Sequence, residues 1–127
     1  MAQQIFAQKT SAEQKLREWL LAEHRMTVDL MLDNEKVHEM VVVALERDWH
    51  VIDAYINRLQ DMAAVVIREG IAAGEFPEQD PIVASRCLGA STVILSHPQM
   101  VAQCLSKTNR AGPEDLVDFA LRALKHL

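Results

Sequence analysis

Apolar residues recur at alternating steps of three and four along the middle of the chain. They are Trp49, Ile52, Ile56, Leu59, Ala63 and Val66. This spacing puts one apolar stripe on a long helix, which the pattern predicts from about residue 48 to residue 73. Gly74 is the residue type that most readily takes the left-handed conformation at a helix end, and Phe76 can fold back onto the last turn.

Capping signals and apolar spacing predict two helices before the long one. Ser11 followed by Gln14 is a capping-box pattern, and the helix that it starts ends near Asn34. Asn34 can cap a second helix through EKVHEMVVVALE, whose β-branched run has no partner strand in this chain. No breaker separates this helix from the long one, so we expect a bend near residues 47–48.

Proline positions mark three helices after the long one. Asp80 and Pro81 suit the N-cap and the first helical position, and the helix that they start is expected to reach about Ser96. Pro98 starts a short helix, PQMVAQCL. Pro113, followed by two acidic residues, favours the start of the last helix. The sequence therefore predicts an all-α fold.

A long amphipathic helix, a Gly-Glu-Phe stop and an acidic Asp-Pro restart resemble the C-terminal effector domain of TetR-family transcriptional regulators, which are built like the tetracycline repressor. LREWLLAEHR (Leu16–Arg25) is similar to the first helix of that domain, and SHPQMVAQCL (Ser96–Leu105) to the segment after the restarted helix. The resemblance covers roughly residues 11–105. It implies an orthogonal helical bundle of about six helices, dimerising through a four-helix bundle, with a ligand cavity.

The fourth and the last predicted helices carry more small or apolar surface than a helix with one wet face allows, so each needs a further partner. A second copy of the chain, related by a twofold axis, would supply it as a homodimer. The TetR resemblance implies the same pairing of helices. The expected dimer interface comprises Cys87, Gly89, Ala90, Val93, Ile94, Leu116, Phe119, Ala120, Ala123 and Leu124.

The first three predicted helices carry aromatic and methionine side chains, which adapt to varied ligand shapes. Such residues at helical spacing are more often plain core. The resemblance favours a cavity between these helices that binds a small hydrophobic or amphipathic effector. The expected ligand-binding residues are Trp19, Glu23, Met26, Trp49, Tyr55 and Met62. His97 either closes the end of the cavity or caps the helix that Pro98 begins, and we favour the cap.

Catalytic and metal-binding patterns are weak or missing. Glu35 and His38 share a helix face, but a di-iron site needs a second such pair, and no other histidine has a glutamate three residues before it. No nucleophile elbow or phosphate-binding glycine loop occurs. Cys87 and Cys104 are expected to be free thiols. We therefore expect no enzyme activity, no cofactor and no metal.

The composition fits one cytoplasmic domain that does not bind DNA by itself. The 127 residues carry a net charge of −5, and the basic residues are dispersed among acidic ones. Phosphate binding would need them gathered on one face. No apolar run is long enough to cross a membrane, and MAQQIFAQKT has no apolar signal core.

The helix-turn-helix module that begins TetR-family regulators has no counterpart in this sequence. Its usual Thr-x-x-x-Ile-Ala and Tyr-x-x-Phe patterns are absent, and residues 1–10 look like the linker that follows such a module. We therefore expect a linker remnant over residues 1–10 and a ligand-binding and dimerisation domain over residues 11–127, either excised or naturally truncated. Operator DNA would be reached only through the missing module.

The predicted function is effector binding and dimerisation in a TetR-like repressor, whose ligand controls the DNA binding of the intact regulator. The alternative is a standalone helical dimer that acts by protein contact and has no ligand cavity.

Overall fold

A computed structural model describes residues 1–33, 39–40, 43, 46–47, 49–104, 107 and 109–126. Over these ranges the fold is all-α, as the sequence predicts. The helices are α1 (Ala2–Phe6), α2 (Ala12–Asp33), α3 (Trp49–Ala72), α4 (Pro81–Ser91), α5 (Val93–Ser96), α6 (Pro98–Cys104) and α7 (Pro113–Lys125). Most of the predicted second helix, the Glu35–His38 pair and the expected bend at residue 48 lie outside the described residues.

Helix α2 is the central element of the fold, because α1, α3, α5, α6 and α7 all pack against it. Its inward side chains Leu16, Trp19 and Leu20 are buried. They belong to a hydrophobic core drawn from α1 to α5 and from α7. A helix surrounded in this way transmits any displacement to several neighbours, since close-packed interiors deform little.

Residues 1–10, predicted as a linker, include a helix that packs on the domain. In α1, Ala2 is buried, and Ile5 and Phe6 are partly buried against the core. The Phe6 and Trp19 rings meet edge to face with their centroids 5.4 Å apart, an arrangement that the aromatic quadrupole favours. The packed domain therefore extends further toward the N-terminus than Ser11, where the sequence analysis placed its start.

The turn after α3 folds back onto the helix as the Gly-Glu-Phe sequence predicts. Gly74 has a φ of 81°, in the left-handed region that favours glycine. The amides of Glu75 and Phe76 both donate to the carbonyl oxygen of Gly70, at 2.8 and 3.3 Å. Phe76 is buried against Gly70, where an added Cβ would lie 2.5 Å from two ring carbons. The close approach of the ring therefore requires glycine at position 70.

The same turn caps the N-terminus of α2, although the two segments are far apart in the sequence. The Glu75 carboxylate accepts hydrogen bonds from the amides of Ala12 and Glu13, at 2.9 and 3.2 Å. Ser11 Oγ accepts a third, from the amide of Gln14 at 3.1 Å, as its capping-box pattern predicts. Amides at a helix start lack partners within the helix, so these contacts stabilise the start of α2 and join it to α3.

The helix predicted from Pro81 to about Ser96 is interrupted in the structure. It starts as predicted, with the Asp80 carboxylate accepting hydrogen bonds from two backbone amides. At the other end, the hydroxyls of Ser91 and Thr92 donate to carbonyl oxygens one turn earlier, at 2.6 and 2.8 Å. Thr92 leaves helical geometry, with φ −111° and ψ 13°. Side chains that bond back in this way bend helices, so α5 follows as a separate short helix.

Helix α7 has one face in the core and one face outside. Its buried residues are Val117, Ala120, Leu121 and Leu124. Along its edge with α2, Asp118 pairs with Arg17, and Lys125 Nζ lies 2.7 Å from the Glu13 carboxylate. Exposed ion pairs contribute little to stability. The apolar face therefore holds α7 in place, and the opposite face is left to solvent.

Candidate ligand-binding site

A cavity of about 310 Å³ lies between α2, α3 and the junction of α5 with α6, and we call it the α2–α3 cavity. Most of its wall is apolar. It is lined by Glu23, Met26, Thr27, Trp49, Ile52, Tyr55, Ile56, Leu59, Val93, Ser96, His97 and Pro98. Mostly apolar cavities with a few polar groups are typical of small-molecule sites. The chemistry of this wall therefore suits a ligand with a large apolar body.

The apolar stripe of α3 lies partly in the core and partly in the wall of the α2–α3 cavity. Toward the C-terminal end of the helix, Ala63 and Val66 are 1% and 2% exposed within the core. Toward the N-terminal end, Trp49, Ile52 and Ile56 line the α2–α3 cavity, and Trp49 is still 52% exposed. Burying apolar surface is favourable in proportion to the area removed from water. A ligand that covers the apolar surface on the first half of α3 would therefore gain binding free energy.

The structure brings four of the predicted ligand-binding residues together around this cavity. They are Glu23, Met26, Trp49 and Tyr55. Trp19 lies elsewhere, 4% exposed in the core, because α1 covers it with the ring of Phe6. Met62 lies further along α3, in a separate depression shared with Phe6 and Val65. Neither Trp19 nor Met62 lines the α2–α3 cavity.

The wall of the cavity that α5 and α6 contribute is not predicted by the sequence. Val93, Ser96 and Pro98 lie there, whereas the sequence predicts Val93 for the dimer interface. The signal for this wall was faint, because it depends on the break at Thr92. The wall that α3 contributes, in contrast, belongs to the predicted apolar stripe and includes Ile52, Ile56 and Leu59. The sequence predicts that these residues are on one face, but not that this face borders a cavity.

His97 was expected to cap the helix that Pro98 begins, but its side chain lines the cavity instead. Only its backbone carbonyl serves α6, by accepting a hydrogen bond from the Val101 amide at 2.9 Å. The Nδ1 atom of the ring is buried and forms no hydrogen bond with the described residues. A buried polar atom without a partner costs stability.

Glu23 is the acidic group of the cavity. Burial raises the pKa of its carboxyl above the ordinary value of 4.5, and the indole N–H of Trp19, one turn earlier, opposes part of the rise. That opposition is weak, because Trp19 Nε1 makes no hydrogen bond of standard geometry within the described part of the chain. The Thr27 hydroxyl donates its hydrogen to the backbone oxygen of Glu23 at 2.8 Å, so it does not hydrogen-bond to the Glu23 carboxylate.

Glu23→Gln is expected to stabilise the empty domain at neutral pH. The folded-state pKa of Glu23 lies above its unfolded value, so ionisation costs folding free energy at neutral pH. This cost falls as the pH drops through the raised pKa and is absent below the unfolded value. Melting temperatures at about pH 7.5 and about pH 4 should therefore show a gain for the variant only at the higher pH.

Glu18→Gln is the matched control for this pH dependence, because it removes the same charge from α2 at a position outside the cavity wall. A loss of stability in Glu23→Gln at neutral pH, or an equal gain at both pH values, contradicts the assignment of a desolvated carboxylate.

A shallow apolar groove of about 240 Å³ runs between α4 and α7. Beside it, Phe119 is 68% exposed, one turn before Ala123, which lines the groove. Val83, 56% exposed, also lines the groove, and the neighbouring Ile82 is 45% exposed. Residues three and four apart share a helix face, as Val83 does with Cys87 and Phe119 with Ala123. These four side chains form one apolar surface, which we call the α4–α7 face (Val83, Cys87, Phe119 and Ala123).

Several residues predicted for a dimer interface are exposed on α4 or α7 or line this groove. They are Cys87, Ala90, Phe119, Ala120, Ala123 and Leu124. Phe119 is the largest of them, and the guanidinium carbon of Arg122 lies 5.9 Å from its ring centroid. The exposed ring of Phe119 is therefore accessible to a partner chain.

The other residues predicted for the interface contact other elements of the same chain. Gly89 faces α3, where the atoms nearest to an added Cβ belong to the side chain of Gln60. Gly89 therefore contacts another helix of the same chain. Ile94 and Leu116 are partly buried against the core, and Val93 lines the α2–α3 cavity.

Other chemistry is sparse in the described ranges. Within them, no three His, Cys, Asp or Glu side chains are close enough to hold a metal ion. None of the helices described above combines the length and the apolar character needed to cross a membrane. Cys87 and Cys104 are both free thiols, as the sequence predicts.

Comparison with known proteins supports the resemblance drawn from the sequence. A family model described as the tetracyclin repressor-like C-terminal domain matches residues 12–117, most of the chain. A search of curated proteins gave no match, and a search of solved structures gave none either. The matched range runs from the start of α2 into α7, so it contains both the α2–α3 cavity and the groove between α4 and α7. The chain therefore belongs to the family of tetracyclin repressor-like C-terminal domains, which are parts of transcription regulators.

Proposed function

We propose that this chain is the effector-binding and dimerisation domain of a cytoplasmic transcription repressor, with a small hydrophobic or amphipathic effector. The α2–α3 cavity carries the proposal. Its wall is mostly apolar, and its volume is about 310 Å³. The cleft is open to solvent and leaves Trp49 half exposed. A ligand would remove this apolar surface from water, which favours a ligand site over plain core.

The α4–α7 face supports the proposed homodimer. A twofold interface uses the same patch on both subunits, so the patch must be self-complementary. Here a protruding ring, Phe119, lies beside a groove lined by Ala123 and Cys87. Burying an exposed phenylalanine is worth about 1.5–3 kcal/mol, which favours covering this face with a second copy of the chain.

Helix α2 supplies a physical connection between the cavity and the dimer face. It lines the cavity through Glu23 and Met26, and it packs on both α3 and α7. A ligand that fits one arrangement of α2 better than another shifts the population toward that arrangement. In an intact regulator this shift would change the spacing of the two DNA-reading modules and release operator DNA. Equal operator affinity with and without ligand contradicts this mechanism.

Ligand binding can be tested with N-phenylnaphthylamine, a neutral apolar dye that fluoresces when it leaves water. The purified chain is expected to bind about one dye molecule per cavity. Ile56→Trp fills the cavity from α3, so it should weaken dye binding about tenfold or more. Val65→Trp is the control, because Val65 is exposed on the same helix but outside the cavity wall.

The two functional hypotheses predict different results in this dye titration. Dye binding that Ile56→Trp weakens and Val65→Trp leaves unchanged supports an effector cavity. No binding, or equal binding by both variants, contradicts the cavity as the ligand site. It would favour the alternative of a helical dimer that acts by protein contact alone.

A further inference from the structure

The acidic group of the α2–α3 cavity has no counter-charge among the described residues. In that part of the chain, no Lys, Arg or His nitrogen lies within 4.0 Å of the Glu23 carboxylate. The residues that line the cavity include neither lysine nor arginine. An unpaired carboxylate in an apolar site is unfavourable unless a positive group neutralises it. Among the described residues nothing supplies this charge, so a cationic ligand would pair with Glu23.

Two aromatic rings in the same wall also favour a cation. Trp49 and Tyr55 line the cavity with Glu23, and the faces of such rings attract organic cations electrostatically. The Tyr55 ring already does so with a guanidinium, because the Arg58 carbon lies 5.4 Å from its centroid. Arg58 is not part of the cavity wall, so its charge does not neutralise Glu23 there.

The residues of the cavity wall also disfavour an anionic ligand. A carboxylate ligand would meet Glu23 as a like charge and would find no lysine or arginine in the wall. A ligand N–H group, in contrast, would donate to the Glu23 carboxylate.

Building on the proposed function, we propose that the effector is a protonated organic amine with an apolar body. Its ammonium group pairs with the Glu23 carboxylate beside the rings of Trp49 and Tyr55. The hydrocarbon part covers the apolar wall formed by Ile52 and Ile56. Binding in this way gives the half-buried Glu23 carboxylate a charge-assisted hydrogen bond, which is stronger than a neutral one.

The test uses three ligands with one skeleton: phenylbutylamine, phenylbutanol and phenylbutanoate, titrated by calorimetry at about pH 7.5, where the amine is protonated. The amine should bind roughly tenfold tighter than the alcohol, and the acid more weakly than the alcohol. Glu23→Gln should remove the preference for the amine and change the affinity for the alcohol by no more than about twofold. Glu18→Gln, which removes the same charge from α2 outside the cavity, should keep the preference.

The outcomes separate this inference from the proposed function. A cavity that binds N-phenylnaphthylamine but shows no preference for the amine keeps the proposed function and overturns the inference. A preference that survives in Glu23→Gln also overturns it, since the charge would then be recognised elsewhere. A chain that binds neither the dye nor any of the three ligands removes both. The comparison of amine with alcohol uses the unmodified protein, so it does not depend on how well a variant folds.

Discussion

Phe76→Ala is expected to lower the free energy of unfolding by about 3–5 kcal/mol, the usual cost of removing a buried phenylalanine ring. Phe76 is 3% exposed and packs against Gly70 of α3 and against the core. The ring also anchors the turn that holds Glu75 at the start of α2. Its removal therefore leaves a cavity and loosens a helix cap together, in a domain whose total stability is on the order of 5–15 kcal/mol.

Urea unfolding followed by circular dichroism measures this effect. All variants are compared at one protein concentration, because dimerisation makes apparent stability depend on concentration. Val65→Ala is the control: Val65 is 49% exposed, and surface substitutions usually stay within about 0.5 kcal/mol. Gly70→Ala tests the same contact from the other side, and its added methyl group should cost about 1–3 kcal/mol. A loss below about 1 kcal/mol in Phe76→Ala would contradict the anchoring role of the ring.

Phe119→Glu is expected to convert the proposed dimer into a folded monomer. The ring is 68% exposed in the single chain, so its replacement leaves the core of the monomer unchanged. In a dimer through the α4–α7 face the ring would be buried, and a carboxylate in its place would bring like charges together across the twofold axis. Central interface aromatics contribute about 2 kcal/mol or more, so dimer affinity should fall roughly 30-fold or more.

Sedimentation velocity across a range of protein concentrations measures this change, with circular dichroism as the check on folding. Val65→Glu places the same charge on an exposed position of α3, away from the α4–α7 face, and should leave the dimer intact. If Phe119→Glu sediments as the unmodified chain does at every concentration, the dimer does not form through this face. If the unmodified chain is itself a monomer, the proposed dimerisation is wrong.

Starts and stops of helices could be predicted because their signals are local. The Ser11 cap, the Asp80 cap and the left-handed Gly74 all appear where the sequence predicts them. Each depends on hydrogen bonds or dihedral angles within a few residues. The break at Thr92 was not predicted, although its cause is also local. The hydroxyl groups of Ser91 and Thr92 bond back to the helix. Such residues are also found in unbroken helices, so their presence alone does not predict a break.

The candidate site could be predicted only in part, because a period of 3.6 residues identifies the side of a helix without identifying its neighbour. Trp49 and Tyr55 lie where a cavity opens, whereas Trp19 has similar chemistry but is covered by Phe6 of α1. The same limit explains Gly89, a small residue predicted to face a second chain that instead lies against Gln60.

By itself the sequence determined the all-α class, the positions of most described helix ends, the long amphipathic helix and the family resemblance. These follow from spacing and capping, which act over one or two helical turns. Only the tertiary structure decided which apolar surface became core, which became cavity wall and which stayed exposed on the α4–α7 face. That choice depends on contacts between distant residues, such as Glu75 with Ala12, 63 positions apart. Local patterns carry no information about such pairs, since the energy of each contact arises only when the chain is folded.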